Sequence, residues 1–315
     1  MRPPEETASQ PLGGETNISP LPGGTPAAPS PLPEGFDGLE FATRRHIGRW
    51  VAVVVVVIIC LLVLKSLIFN PNLQWPVVGK YIFSAPILDG LGLTLLLSAI
   101  GMPIGVIIGI VVALMRLSEN KLLQYVSSAY IWFFLATPLL VQVIFWFNIA
   151  ALFPDLSIGL PFAGTLVSVS TNTVITPFIA ATLALSLHEG AYMAEIVRAG
   201  ILSVPHGQIE AAESIGMPGS QAFRRVILPQ SLRVIIPPTA SRVITFVKNT
   251  SLVSVAGLAE LLYSAQLIYS RTYETIPLLV VASLWYLLLT TLLSLGQRRV
   301  ERYFSRGVRG PGGRR

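Results

Sequence analysis

Arg242 and Glu189, each inside a stretch that is otherwise apolar, are the residues that first suggest chemistry in this chain. Arg242 and Lys248 bracket Val243–Val247, and Asn249, Thr250 and Ser251 follow directly. His188 and Glu189 sit late in another apolar run. An ionisable group at membrane depth is expensive and is kept only with a partner or a task. A cation there can receive a substrate carboxylate, pair with an internal acid or snorkel to an interface, and residue type alone leaves all three open. Asn249, Thr250 and Ser251 offer short hydrogen-bonding groups where a helix is expected to break. They can cap that break, or the helix end can receive a carboxylate or ammonium. Glu195 and Arg198, three apart, are expected to pair on one helix face. Hydrolytic and metal chemistry lack their parts. There is no His-Glu-x-x-His and no Gly-x-Ser-x-Gly, the three histidines are scattered, and the one cysteine, Cys60, lies in VVVVVIICLLVL. No catalytic residue and no metal ligand set is assigned.

The elements that must position these residues are membrane helices. Charged residues make up 12% of the 315 and hydrophobic ones 52%, against about 25% charged in a soluble domain. With a mean hydropathy of +0.67, the chain reads as an all-α polytopic membrane protein. Stretches long enough to span, about 20 residues each, are Trp50–Phe69, Leu88–Leu114, Leu123–Phe153, Val174–Val197, a run within Val226–Val247, and Ile276–Leu295. Leu252–Tyr269 is interrupted by Ser254, Gly257, Glu260 and Gln266 and reads as re-entrant or interfacial. Pro103, Pro138 and Pro237-Pro238 are expected to kink or shorten their helices. Gly101, Gly105 and Gly109 are spaced for close helix contact.

Charge orients the spans. Residues 1–40 hold Arg2 and six acids, whereas the rest holds 21 basic and ten acidic residues. The excess gathers at the ends of apolar runs: Arg44, Arg45 and Arg49; Arg116 and Lys121; Arg198, Arg224 and Arg225; and the arginines from Arg298 onward. With six spans all of these fall on one side, which is the cytosolic side, and both termini with them. A topogenic pattern of this kind, rather than a basic stripe interleaved with aromatics, argues against nucleic acid as a partner. Residues 1–44, rich in Pro and Gly, are expected to be a disordered cytosolic tail, and 304–315 a basic one.

The loop between the fourth and fifth spans carries the most specific pattern. Glu210-Ala211-Ala212, three residues, Gly216, nine residues, then Val226-Ile227-Leu228-Pro229 recur at a recognisable spacing. Pro205 and Gly207 end the preceding helix. Gln208–Ile215 is a run of good helix formers, Gly216 supplies a left-handed cap, and Pro218-Gly219 turns the chain. This stretch resembles the EAA loop of ABC-importer permeases. The polar-amino-acid branch of that family is further resembled by AYMAEIVRAGI (Ala191–Ile201), LDGLGLTLLLS (Leu88–Ser98), FFLATPLLVQ (Phe133–Gln142) and VKNTSLVSVAGLAEL (Val247–Leu261). Leu135-Ala136 departs from the arginine–glycine that many members carry before Thr-Pro-Leu-Leu.

The resemblance implies a type I permease core of five helices over residues 86–303, with a coupling loop at 199–229 and an extra N-terminal helix at 45–70. It implies a plasma-membrane subunit that carries polar amino acids by alternating access. Glu210, Ala211, Ala212, Gly216, Leu228 and Pro229 would contact cytosolic ATPases. The other expected partners are an extracytoplasmic amino-acid-binding protein, a second permease copy or a sister permease, and membrane lipids. Arg242, Lys248, Asn249, Thr250 and Glu189 are the candidate substrate-path residues. No Gly-x-x-x-x-Gly-Lys-[Ser/Thr] loop occurs, so ATP and Mg are expected on the partner ATPase and no cofactor on this chain. The competing expectation is a secondary amino acid transporter or channel, which would show internal repeats and several mid-span charges.

Overall fold

The computed structural model describes residues 47–160 and 164–304. The tail expected at 1–44, and all but Phe304 of the basic tail, lie outside the described residues. Helix α1 (Ile47–Ile68) is a single apolar helix with none of Trp50–Ile68 buried.

A short 3-10 turn at Pro71–Leu73 and the helix α2 (Trp75–Tyr81) precede α3 (Ala85–Leu117). Next come α4 (Lys121–Ala136), α5 (Leu139–Phe147) and α6 (Ile149–Leu152). The strands β1 (Asp155–Leu160) and β2 (Gly164–Ser170) form an antiparallel hairpin pairing Asp155 with Ser170. After it run α7 (Thr171–Val174), α8 (Pro177–Leu202), α9 (His206–Ser214) and α10 (Gly219–Ala222). A π-helical turn (Phe223–Ile227) leads into α11 (Leu228–Asn249), then a 3-10 turn (Thr250–Ala256), α12 (Leu261–Thr272) and α13 (Thr275–Phe304).

The all-α polytopic reading holds with one exception. The segment between the third and fourth predicted spans, left without regular structure by the sequence, forms the hairpin. Its second strand alternates β-branched with polar residues in Val167-Ser168-Val169-Ser170, a pattern that suits strands. Among the described residues three helices, α1, α3 and α13, are long and apolar enough to cross a membrane, or up to five if each of two bent pairs is one span. The predicted third span is such a pair. Pro138, which has no N–H to continue the α4 ladder, accompanies a bend of 101° between α4 and α5. The stretch read as re-entrant or interfacial follows α11 through a bend of 43° into α12, a geometry shared by a broken span and a re-entrant loop. Pro103, Pro237 and Pro238 sit inside unbroken helices. The fourth predicted span is α8, which is interrupted by His188, Glu189, Glu195 and Arg198. Its 26 residues reach about 39 Å at ~1.5 Å per residue. The polar groups lower its apolarity because α8 is an interior helix, with 14 of its residues buried.

Between helices in lipid the driving force is close packing rather than expulsion of water. The glycines of α3 provide it. A Cβ at Gly105 would lie 2.9 Å from Glu189 Cβ, so only hydrogen fits where α3 crosses α8. Ser186 Oγ donates to the Gly101 carbonyl at 2.9 Å, and Tyr130 Oη to the Leu187 carbonyl at 2.6 Å, tying α3 and α4 to α8. One apolar cluster gathers Leu97, Met102, Val143, Leu185, Met193 and Phe246 around this crossing. A second joins α2, the start of α3, α12 and α13 through Val78, Ile87, Leu261 and Leu278. The carboxylate of fully buried Glu260 caps α12, accepting from Leu262 N (3.0 Å), Tyr263 N (2.8 Å) and Tyr286 Oη (2.8 Å).

Candidate functional site

The break between α4 and α5 exposes a wall that α8 and α11 complete. Leu135–Leu139 from the break, His188 and Tyr192 from α8, and Arg242, Thr245 and Asn249 from α11, with Leu252 beyond it, line a cavity of about 510 Å³. That volume falls in the range of small-molecule sites. His188 and Tyr192, four apart, share one face of α8. Arg242, Thr245 and Asn249, at i, i+3 and i+7, share one face of α11.

Arg242 is the ordering residue of this wall. Its Nε and Nη2 donate to the two carboxylate oxygens of Glu189 at 2.8 and 2.6 Å. Glu189 is 1% exposed and does not line the cavity, whereas Arg242 is 17% exposed and does. The guanidinium lies 3.8 Å over the Tyr192 ring, and the His188 ring meets the other partner of that stack edge-on at 5.3 Å. A bidentate pair fixes the plane of the guanidinium, and Tyr192 covers one of its faces. Two of a guanidinium's five N–H groups are thereby engaged. His188 Nδ1 and Gln142 Oε1 are buried without a hydrogen-bond partner among the described residues. Gln142 Nε2, by contrast, braces the α4–α5 break through the carbonyls of Phe134 and Thr137, both at 3.0 Å.

Of the residues selected from sequence for a substrate path, the structure brings Arg242, Glu189 and Asn249 together. Lys248 is exposed and is not part of the cavity wall. Thr250 is fully buried and donates to the Val247 carbonyl at 2.7 Å, closing the end of α11. Tyr192, Thr245 and Thr137 are cavity residues that the sequence reading passed over. The i, i+4 spacing from His188 and the i, i+3 spacing from Arg242 are the signal that would have found Tyr192 and Thr245, whereas Thr137, in the α4–α5 break, carries no such signal. The expected pair between Glu195 and Arg198 is present, with Nη2 2.7 Å from Oε2.

The second site is the loop between α8 and α11. Helix α9 begins after Pro205, two residues earlier than expected, and ends in a full Schellman motif. Met217 N donates to the Ala212 carbonyl at 3.1 Å and Gly216 N to the Glu213 carbonyl at 2.8 Å, with Gly216 at φ +76°. The left-handed cap expected from the sequence is therefore where Gly216 places it. Glu210 and Ala211 are exposed, while Ala212 is buried and turned inward. Leu228 is half-buried and Pro229 exposed at the start of α11, directly after the π-helical turn. Ile215, not selected from sequence, is 73% exposed beside the cap.

Comparison with known proteins bears on the family of the chain. The sequence profile of the family described as "Binding-protein-dependent transport system inner membrane component" matches residues 105–306. The "Arginine transport system permease protein ArgU" of Corynebacterium glutamicum is 38% identical over 289 residues, covering 91% of this chain and 87% of that protein. The "L-cystine transport system permease protein TcyB" of Bacillus subtilis is 38% identical over 247 residues, 78% of this chain and 97% of that one. Among solved structures, a chain of "an amino acid ABC transporter with histidines" aligns at a TM-score of 0.60 and 34% identity, covering 69% of this chain and 94% of the other.

Proposed function

This chain belongs to the binding-protein-dependent transport system inner membrane components, and from that premise we propose how it couples and what it carries. It is a multi-pass membrane permease subunit and not an enzyme. ATP hydrolysis belongs to a separate subunit, and an ATPase and a substrate-binding protein are its partners by family. We propose that its cargo is a polar amino acid, passed inward by alternating access. ATP and Mg reside on the ATPase, and no cofactor is held here. Two permeases, as a homodimer or with a sister chain, form the path. The termini face the cytosol, a reading supported by Arg116, Lys121, Arg198, Arg224, Arg225, Arg298 and Arg299 at the ends of the same-side helices.

The observation that carries the coupling is helix α9 with its Schellman cap. Glu210, Ala211 and Ile215 form an exposed polar and apolar edge on a helix that is only nine residues long and is held at its base by Ala212. A helix capped in this way projects in a fixed direction, so a push from a docked ATPase reaches α8 and α11, the two helices that carry the cavity. Leu228 and Pro229, at the foot of α11, complete the contact. Inside the membrane, Arg242 meets the α-carboxylate of the substrate with the N–H groups that Glu189 leaves available, and Asn249 lies within the same wall. Thr250 closes the helix end behind it, and Lys248 lies off the cavity. The runner-up, a carrier that works without ATP, draws support from none of these features.

The test is Gly216→Val in the reconstituted complex. A β-branched residue at φ +76° costs about 1–3 kcal/mol of backbone strain and redirects α9 without touching the spans. The variant is expected to insert at the wild-type level yet co-purify poorly with its ATPase, or to lose stimulation of hydrolysis by loaded binding protein. Normal coupling in both Gly216→Val and Ala211→Trp would place the docking surface elsewhere.

A further inference from the structure

We propose that Glu189, from behind the cavity wall, sets the charge class of what the cavity accepts, restricting it to amino acids whose side chains are uncharged. The proposal rests on the reading of this cavity as the substrate site. Glu189 is 1% exposed, and both its carboxylate oxygens are taken by Arg242. It does not meet cargo; it cancels the charge of the residue that does. Among the described lining residues there is no acid, and Arg242 is the only lysine or arginine. The cavity and its backing therefore sum to zero when His188 is neutral. Leu135 and Ala136, at the break between α4 and α5, add apolar surface and no charge to the same wall.

An uncompensated charge in a low-dielectric site is costly, so the sum decides which cargo fits. A zwitterion with a neutral polar side chain brings no net charge. It places its carboxylate on Arg242 and its ammonium among neutral acceptors such as the Asn249 side chain. A second carboxylate would find no free cation, because Arg242 is already neutralised by Glu189. A cationic side chain would find no acid facing it. Removing the Glu189 charge leaves the wall at +1, and an acid added on the cavity side leaves it at −1. Each change should move the preference toward the cargo of opposite charge.

The experiment is competition binding to the purified permease–ATPase complex without binding protein, so that upstream selection does not enter. Labelled glutamine is displaced by glutamine, glutamate or lysine. The intact complex should prefer glutamine to both others. Glu189→Gln should shift the glutamine-to-glutamate preference by about tenfold or more toward glutamate, which is about 1.4 kcal/mol. Ala136→Asp, at an exposed lining position on a different element from the ion pair, should shift preference by a similar factor toward lysine, and serves if Glu189→Gln does not assemble. Wild-type preference for lysine or glutamate, or unchanged preferences in the assembled variants, overturns the proposal. Arg242→Ala separates the two levels. If it binds glutamine normally, the cavity is not the substrate site. If it loses binding while the other variants keep the wild-type order, only the role of Glu189 fails.

Discussion

At 1% exposure the carboxylate of Glu189 has no water to solvate it, and Arg242 supplies the compensation in a bidentate pair. Such pairs often add little net stability against an apolar replacement, but breaking one by removing a single partner strands a charge, at a cost of roughly 3–5 kcal/mol. Glu189→Ala should accordingly lower the unfolding midpoint of the detergent-solubilised protein, whereas Glu189→Met with Arg242→Met should recover most of the loss. If the single variant is as stable as the parent, the pair carries no structural weight. Both members were visible in the sequence as lone charges in apolar runs. Their pairing was not, because residues 53 positions apart meet only through the packing of α8 against α11. The neighbouring crossing of α3 and α8 is legible in part, since Gly101, Gly105 and Gly109 announce a close contact without saying what fills it.

Helix α9 and the α4–α5 pair show where local rules suffice and where they fail. The start of α9 at a proline and its end at a glycine are local chemistry, so both were readable to within two residues. Ile215 was not singled out, because an isoleucine beside a cap reads as the apolar contact of the cap itself. At 73% exposure it does not close the cap and is open to the proposed ATPase contact. Ile215→Asp should reduce ATPase co-purification about tenfold while leaving membrane insertion unchanged, as immunoblotting of membranes and of affinity eluates would measure; full retention would remove Ile215 from the interface. The 101° bend at Pro138 was expected only as a kink. A proline states where the ladder breaks, but the angle is set by neighbours, here Gln142 bracing Thr137 and Phe134. The hairpin after α6 was missed because its short alternation was outweighed by the long apolar runs around it.

For the molecule as a whole, composition and charge spacing gave the membrane class directly, since no soluble surface can be built from so few charges. The number of spans is less legible. A polar interior helix such as α8 and two bent pairs blur a count that rests on apolar length. The family profile begins at residue 105, well inside α3, and the acidic tail lies outside the residues it matches. Deleting residues 2–44 is expected to leave transport per inserted complex within about twofold of the parent; loss of most uptake from a correctly inserted and assembled truncation would give the tail a working part.

ATP dependence is the most direct measure of the central claim, that this permease moves an amino acid only when a partner hydrolyses ATP. The complex of this chain with its ATPase is reconstituted in proteoliposomes, binding protein loaded with labelled amino acid is added outside, and uptake is followed with ATP or a non-hydrolysable analogue enclosed. Uptake against a gradient is expected with enclosed ATP alone, abolished by the analogue and reduced to background by Gly216→Val. Accumulation that persists with the analogue, or that follows an imposed ion gradient without ATP, would contradict the central claim.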